Sequence, residues 1–245
     1  MIFLIRVTYC IRRHSDISFR DFVAWCNKQF IPYVASIPIV KENVHRLIVS
    51  YTSSLQTIGI PQKKYDALID FWLDDFKAAM AVFTDSTLCF LRDKAGESYL
   101  DFNKCHCVVT QEMSPIFNED VSTSIGSKPK IKFTTLLVRN HSMSFGQFTK
   151  HHKEKHINLF SSVPIVQSNV RRYVVSHKMI EDDNIFFYKK YDGIVEFWFD
   201  NVIDMCAVFI NPTYLSKVRP DERRFLELNK CDFVISRELS PIIIR

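Results

Sequence analysis

Lys63-Lys-Tyr-Asp-Ala-Leu-Ile-Asp-Phe-Trp72 and Lys189-Lys-Tyr-Asp-Gly-Ile-Val-Glu-Phe-Trp198 are one segment written twice in a chain of 245 residues. At the same offset of 126 the agreement runs outward in both directions. Pro38-Ile39-Val40 falls on Pro164-Ile165-Val166, Asn43-Val44 on Asn169-Val170, and Asn103-Lys104-Cys105 on Asn229-Lys230-Cys231. Between residues 13 and 116, roughly a third of the positions are identical with no gap, far beyond chance. Two copies are too few for a solenoid, so each is a domain-sized unit: residues 1–117 and residues 131–245. The polar stretch 118–130, with Gly126 and Pro129, reads as a surface linker between them.

Within each copy the pattern is strand, helix, strand, strand, helix, strand. Leu4 to Ile11 and Lys132 to Val138 are apolar, β-branched runs of strand length. Ser18 and Ser144 stand before apolar stripes at helical spacing and are placed to cap them, since a hydroxyl there accepts a free first-turn amide. Pro38 and Pro164 end those helices, because proline disfavours helix in the residue before it. The quoted segment is the third strand. In Ile194-Val-Glu196-Phe-Trp198, alternate residues share a face. The wholly apolar set of Val195, Phe197 and Phe199 belongs against the helices. Glu196 and Trp198 then point to the other face, opposite Asp70 and Trp72 of copy one. The βαββαβ order predicts an α+β fold: two ferredoxin-like repeats packed sheet to sheet, an intramolecular, pseudo-dimeric α+β barrel around a shared lumen.

Composition narrows the function. Hydrophobic residues make up 47% of the chain and glycines number only 5, which excludes a disordered or low-complexity polymer. The net charge of +5 is spread over mixed charges without a Lys/Arg run, so no nucleic-acid partner is expected. Seven cysteines without a CxxC pair read as reduced thiols. Arg6 interrupts the apolar start, and no segment reaches the roughly 20 apolar residues of a membrane helix, so a cytoplasmic protein without a membrane partner is expected. A monomer containing the pseudo-dimer follows, with further homodimerisation left open.

Copy two carries a resemblance. Phe148-Thr-Lys-His-His152-Lys-Glu-Lys-His156, then Pro164, Tyr173 and His177, then Tyr191-Asp-Gly-Ile-Val-Glu196-Phe-Trp198-Phe-Asp200, resembles the EthD domain. So does Pro220-Asp-Glu222-Arg-Arg-Phe225. The resemblance implies a ferredoxin-like unit that pairs into an α+β barrel with a ligand cavity. It also implies small, cofactor-independent enzymes or accessory proteins of ether degradation and fungal aromatic polyketide pathways, with dehydratase or decarboxylase roles. His156 and His177 fall where that family has its characteristic histidines.

The copies differ where chemistry would sit. His152, His156 and His177 of copy two stand where copy one has Cys26, Phe30 and Tyr51. Histidine moves protons near neutral pH, so a pair can serve as base and acid. His156 and His177 are therefore the expected proton carriers, with Glu196 assisting as a carboxyl whose pKa an apolar cavity would raise. His152, Tyr173, Trp198, Trp72, Asp70 and Tyr51 are the expected contacts of a small hydrophobic or aromatic ligand. His152 and His156, four apart, also have a metal-binding spacing. No convincing further ligand completes the set, and no metal or cofactor is expected. A lyase or isomerase is the first reading; a non-catalytic ligand carrier and a cofactor-independent monooxygenase are the alternatives.

Overall fold

Eight antiparallel strands pair edge to edge around a complete circle. The structure is a computed structural model and describes residues 4–53, 64–87, 99–113, 116–118, 131–179, 191–239 and 241–244. Copy one contributes β1 (Ile5–Ile11), β2 (Val44–Thr52), β3 (Ala67–Leu73) and β4 (His106–Glu112). Copy two contributes β5 (Ile131–Leu137), β6 (Arg172–Lys178), β7 (Gly193–Phe199) and β8 (Asp232–Glu238). Around the circle the order is β2-β3-β1-β4-β6-β7-β5-β8, and β8 returns to β2. The two seams are related by the repeat: Thr110 pairs with Lys178 on one side, and Thr52 with Ser236 on the other.

This closure corrects the expected fold class. Two ferredoxin-like sheets packed face to face would leave β2, β4, β6 and β8 as open edges; instead one sheet forms a closed eight-stranded antiparallel barrel. The physical reason is written on the inner face. Sheets that stack need apolar facing surfaces, whereas the inward residues here include Arg6, Asp70, Lys132 and Glu196, each only 1% exposed. Closing the barrel also pairs the strand edges that two separate sheets would expose, over three residue pairs at each seam.

The lumen is filled in two layers. One holds Cys10, Leu68, Val108, Leu136, Ile194 and Val234 around Tyr65 and Tyr191, whose hydroxyls hydrogen-bond to each other across the repeat axis. Tyr191 also donates to Asp232, which Lys64 meets at 2.8 Å. Lys63, Lys189 and Lys190, like residues 119–130 of the expected linker, lie outside the described residues. The other layer is ionic. Lys132 Nζ lies 2.6 Å from one Glu196 oxygen, and Arg6 bonds the other. Asp70 accepts from Thr8 at 2.6 Å and faces Lys132 at 3.5 Å. Arg46 and Arg172 cover Trp72 and Trp198 at 4.8 and 4.7 Å from the ring centres. About 10 Å³ of space remains among these groups, no more than one water needs.

Outside the barrel, each half packs its helices on its own half of the sheet. The first helix of each copy has the same three pieces: Phe19–Trp25, a π turn Cys26–Phe30 and Ile31–Ser36 in copy one; Phe145–His151, a π turn His152–His156 and Ile157–Ser161 in copy two. Ser18 and Ser144 cap them, accepting from the amides of Asp21 and Gln147. Pro38 and Pro164 do more than stop the helix. Ile37 and Val163 before them are extended, and each proline then opens a further one-and-a-half-turn helix as its first residue. Val195, Phe197 and Phe199 face these helices as the alternation requires.

Candidate active site

A cavity of about 460 Å³ lies between the sheet and the helices of copy two, outside the barrel. Its walls are chiefly Phe133, Phe160, Tyr173, Phe197, Phe209, Phe225 and Phe233, and its polar groups include His152, His156, Tyr214 and Glu222. The π turn places both histidines: one extra residue per turn widens the helix locally, and its closing bond runs from the Ile157 amide to the His152 carbonyl.

His156 is held from behind. Its Nδ1 lies 3.0 Å from one oxygen of Asp221, while His151 Nε2 lies 3.0 Å from the other. A carboxylate can only accept, so His156 donates through Nδ1, and in the neutral imidazole Nε2 carries the lone pair. The hydrogen bond from His156 holds the Asp221 carboxyl below its usual range, against the opposing effect of burial, and His151 adds to it. Phe225 packs against all three imidazoles, at 5.0 Å from His151, 5.2 Å from His152 and 4.8 Å from His156. Asp221 is the functional candidate that sequence reasoning missed. It stands inside the quoted Pro220–Phe225 motif, and the aligned residue of copy one is Ala95.

His152 and His177 form a second, neutral pair, with Nδ1 and Nε2 3.0 Å apart. One must donate and the other accept. Burial first, then the neighbouring imidazoles of His156, His177 and His151 with Lys153, push His152 well below its ordinary value. Burial and Lys153 bring His177 down to about 4. His177 does not line the cavity; it props His152 from the strand beneath. His177, expected as a proton carrier, thus meets the cavity only through His152.

The other expected residues separate cleanly. Tyr173 lines the cavity, stacked on Phe197 at 4.8 Å. Glu196, Trp198, Asp70 and Trp72 point into the lumen, on the opposite face of the sheet, and none lines the cavity. Nor is Glu196 a raised acid: burial acts to raise it, but Arg6 and Lys132 outweigh burial and hold it down at about 2. Tyr51 donates to Asn27 in copy one, far from the histidines in the sheet order. In copy one the matching cavity is smaller, about 90 Å³. Trp25, in the place of His151, stacks between Phe30 at 4.9 Å and Tyr99 at 4.5 Å. Among the described residues no group of three or more His, Cys, Asp or Glu is arranged to hold a metal ion.

The histidine pair makes a stability prediction. Unfolded imidazoles titrate near 6.5, and these two titrate lower when folded. The unfolded chain therefore takes up protons first as pH falls. Stability is complete above about pH 7 and declines as pH falls below about 6.5, by up to ~1.4 kcal/mol per pH unit for each imidazole, the His177 share being lost by about pH 4. Urea unfolding at pH 7.5, 6 and 5 should show this loss. The double change His152→Cys with His177→Tyr, which installs the copy-one residues, should flatten it.

A buried histidine held by a carboxylate beside an aromatic cavity is the arrangement to set beside known proteins. Residues 140–229 match the family model of the EthD domain. The matched stretch spans the whole histidine cluster together with Asp221 and Phe225. No curated protein matches the chain by sequence. Among solved structures, an anthrone oxidase-like protein superposes with a TM-score of 0.69 at 7% identity, covering 98% of this chain and 93% of that one. A candidate monooxygenase from Fusobacterium nucleatum gives 0.57 at 8% identity over 98% and 94%. A variant of the chlorite dismutase from Candidatus Nitrospira defluvii gives 0.55 at 9% over 96% and 92%. At such identities these likenesses show a shared barrel fold, and no more. No helix among the described residues is long and apolar enough to cross a membrane.

Proposed function

We propose that the copy-two cavity is the active site of an enzyme that moves a proton on a small aromatic, polyketide-like compound. The observation that carries this reading is the Asp221–His156 dyad at the wall of an aromatic cavity. His156 Nε2 accepts a proton from an acidic C–H or O–H of the bound ring system, and Asp221 stabilises the imidazolium that forms. The proton then returns to a different atom, giving isomerisation, or to a departing hydroxyl, giving dehydration. His152, kept neutral, offers a hydrogen bond to the oxygen on which negative charge develops. The proposed steps need no cofactor. Copy one, with Phe30 and Ala95 at the dyad positions, supplies the other half of the barrel and no chemistry.

The names of the structural neighbours extend the reading in one direction: a carbanion left by the same proton abstraction can meet dioxygen instead of a proton. Incubation of the protein with anthrone, 2-naphthol and 1-tetralone in deuterated buffer without oxygen tests the common step. Mass spectrometry should show deuterium entering at least one of them faster than in buffer. Oxygen consumption on admitting air would assign the monooxygenase branch, and its absence the lyase or isomerase branch. Exchange at the buffer rate for all three, with binding retained, would support a carrier.

A further inference from the structure

The cavity opens beside the last helix of the matched stretch, Arg219–Phe225, and the residues of that helix lining it are Arg219, Glu222, Arg223 and Phe225. Arg219 and Arg223 are four apart, so they stand one above the other on the face turned to the cavity. Like charges at this spacing repel. Arg219 is fixed: it meets Glu222 at 2.7 Å and covers the Tyr214 ring at 5.1 Å, and Tyr214 donates to the same Glu222 at 2.7 Å. Glu222 is thus hydrogen-bonded by Tyr214 through one oxygen and ion-paired with Arg219 through the other. Arg223 is exposed, and among the described residues it has no ion-pair partner. Behind the two guanidinium groups the walls are aromatic, with Phe133 at 4.8 Å from Phe209 and stacked against Phe233 at 5.9 Å. The repeat supplies an internal comparison. At the aligned positions copy one has Asp93 and Glu97, so both arginines stand where the other copy is acidic, beside the same asymmetry in the histidines.

We infer that the ligand of this cavity is an aromatic carboxylate, its ring seated among the phenylalanines and its carboxylate held at the mouth by Arg223 with Arg219. This rests on the reading of the cavity as the active site and adds the substrate's charge to it. A guanidinium recognises a carboxylate through two parallel hydrogen bonds, which no lysine or amide reproduces. The anchor fixes which ring edge reaches His156, so it would set position as well as affinity.

Calorimetric titration at low ionic strength, with 2-naphthoate and its neutral counterpart naphthalene-2-carboxamide, tests the inference without turnover. The expected result is that the acid binds about tenfold more tightly than the amide. Arg223→Gln should remove that difference while leaving amide affinity unchanged, and Arg223→Glu should reverse it. Arg224→Gln, on the exposed neighbour of Arg223, should leave both affinities as they were. Equal binding of acid and amide to the unaltered protein, or an acid affinity untouched by Arg223→Gln, overturns the carboxylate anchor and leaves the cavity standing as a ligand site. Binding of neither probe overturns both.

Discussion

Replacing His156 with phenylalanine is expected to lower turnover by about 10²- to 10⁴-fold, the usual contribution of one positioned acid–base group. The fold should survive, because copy one carries Phe30 at the same place in the same π turn. The change does remove one of the two hydrogen bonds to the buried Asp221 carboxylate. His151 remains on the other oxygen, so the stability cost should stay within about 1–3 kcal/mol. Circular dichroism and urea unfolding check the fold, and deuterium exchange into the responsive substrate checks the chemistry. A folded variant with full exchange would remove His156 from the mechanism and leave the cavity with a carrier's role.

The second large effect lies in the lumen. Glu196→Leu should destabilise the protein by about 3–5 kcal/mol, since it leaves Arg6 and Lys132 buried with their main counter-charge gone. Arg6 belongs to copy one, whereas Lys132 and Glu196 belong to copy two, so this cluster is also where the halves are tied together. The pH dependence has a defined sign. Glu196 is held below its unfolded value, so its contribution is present above about pH 4.3 and fades as pH falls toward about 2. Denaturant midpoints for the two proteins at pH 7 give the difference directly. A Glu196→Leu variant as stable as the parent would mean that the ionic layer is dispensable to the barrel.

Much of the fold can be read in the sequence because it is local. The repeat, the element order within each copy, the serine caps and the inward direction of Glu196 and Trp198 all follow from spacing and alternation. The closed barrel does not, because the seams join β4 to β6 and β2 to β8, and no local signal sets pairing between strands so far apart. One clue was present all the same. Arg6 and Lys132 occupy the same position in the two copies, alternating with Ile5, Val7, Ile131 and Phe133. Charged residues on that face argue against two apolar sheets stacked together. The candidate site was legible in its histidines and less so in its geometry. Periodicity put His152 and His156 on one face, yet it could not show that the cavity lies outside the barrel while Glu196 lies inside it. Asp221 was hidden because a single acid in a charged stretch has no pattern of its own; only the contrast with Ala95 marks it.

On the proposed reading, ligand binds between helix and sheet in copy two and not in the lumen. Nitrogen-15 spectra of the histidine and tryptophan side chains, recorded while 2-naphthoate is added to saturation, distinguish the two places. The ring nitrogens of His152 and His156 should shift while the indole N–H signals of Trp72 and Trp198 stay in place. Movement of those two indoles with the imidazoles unchanged would put the ligand inside the barrel and contradict that reading.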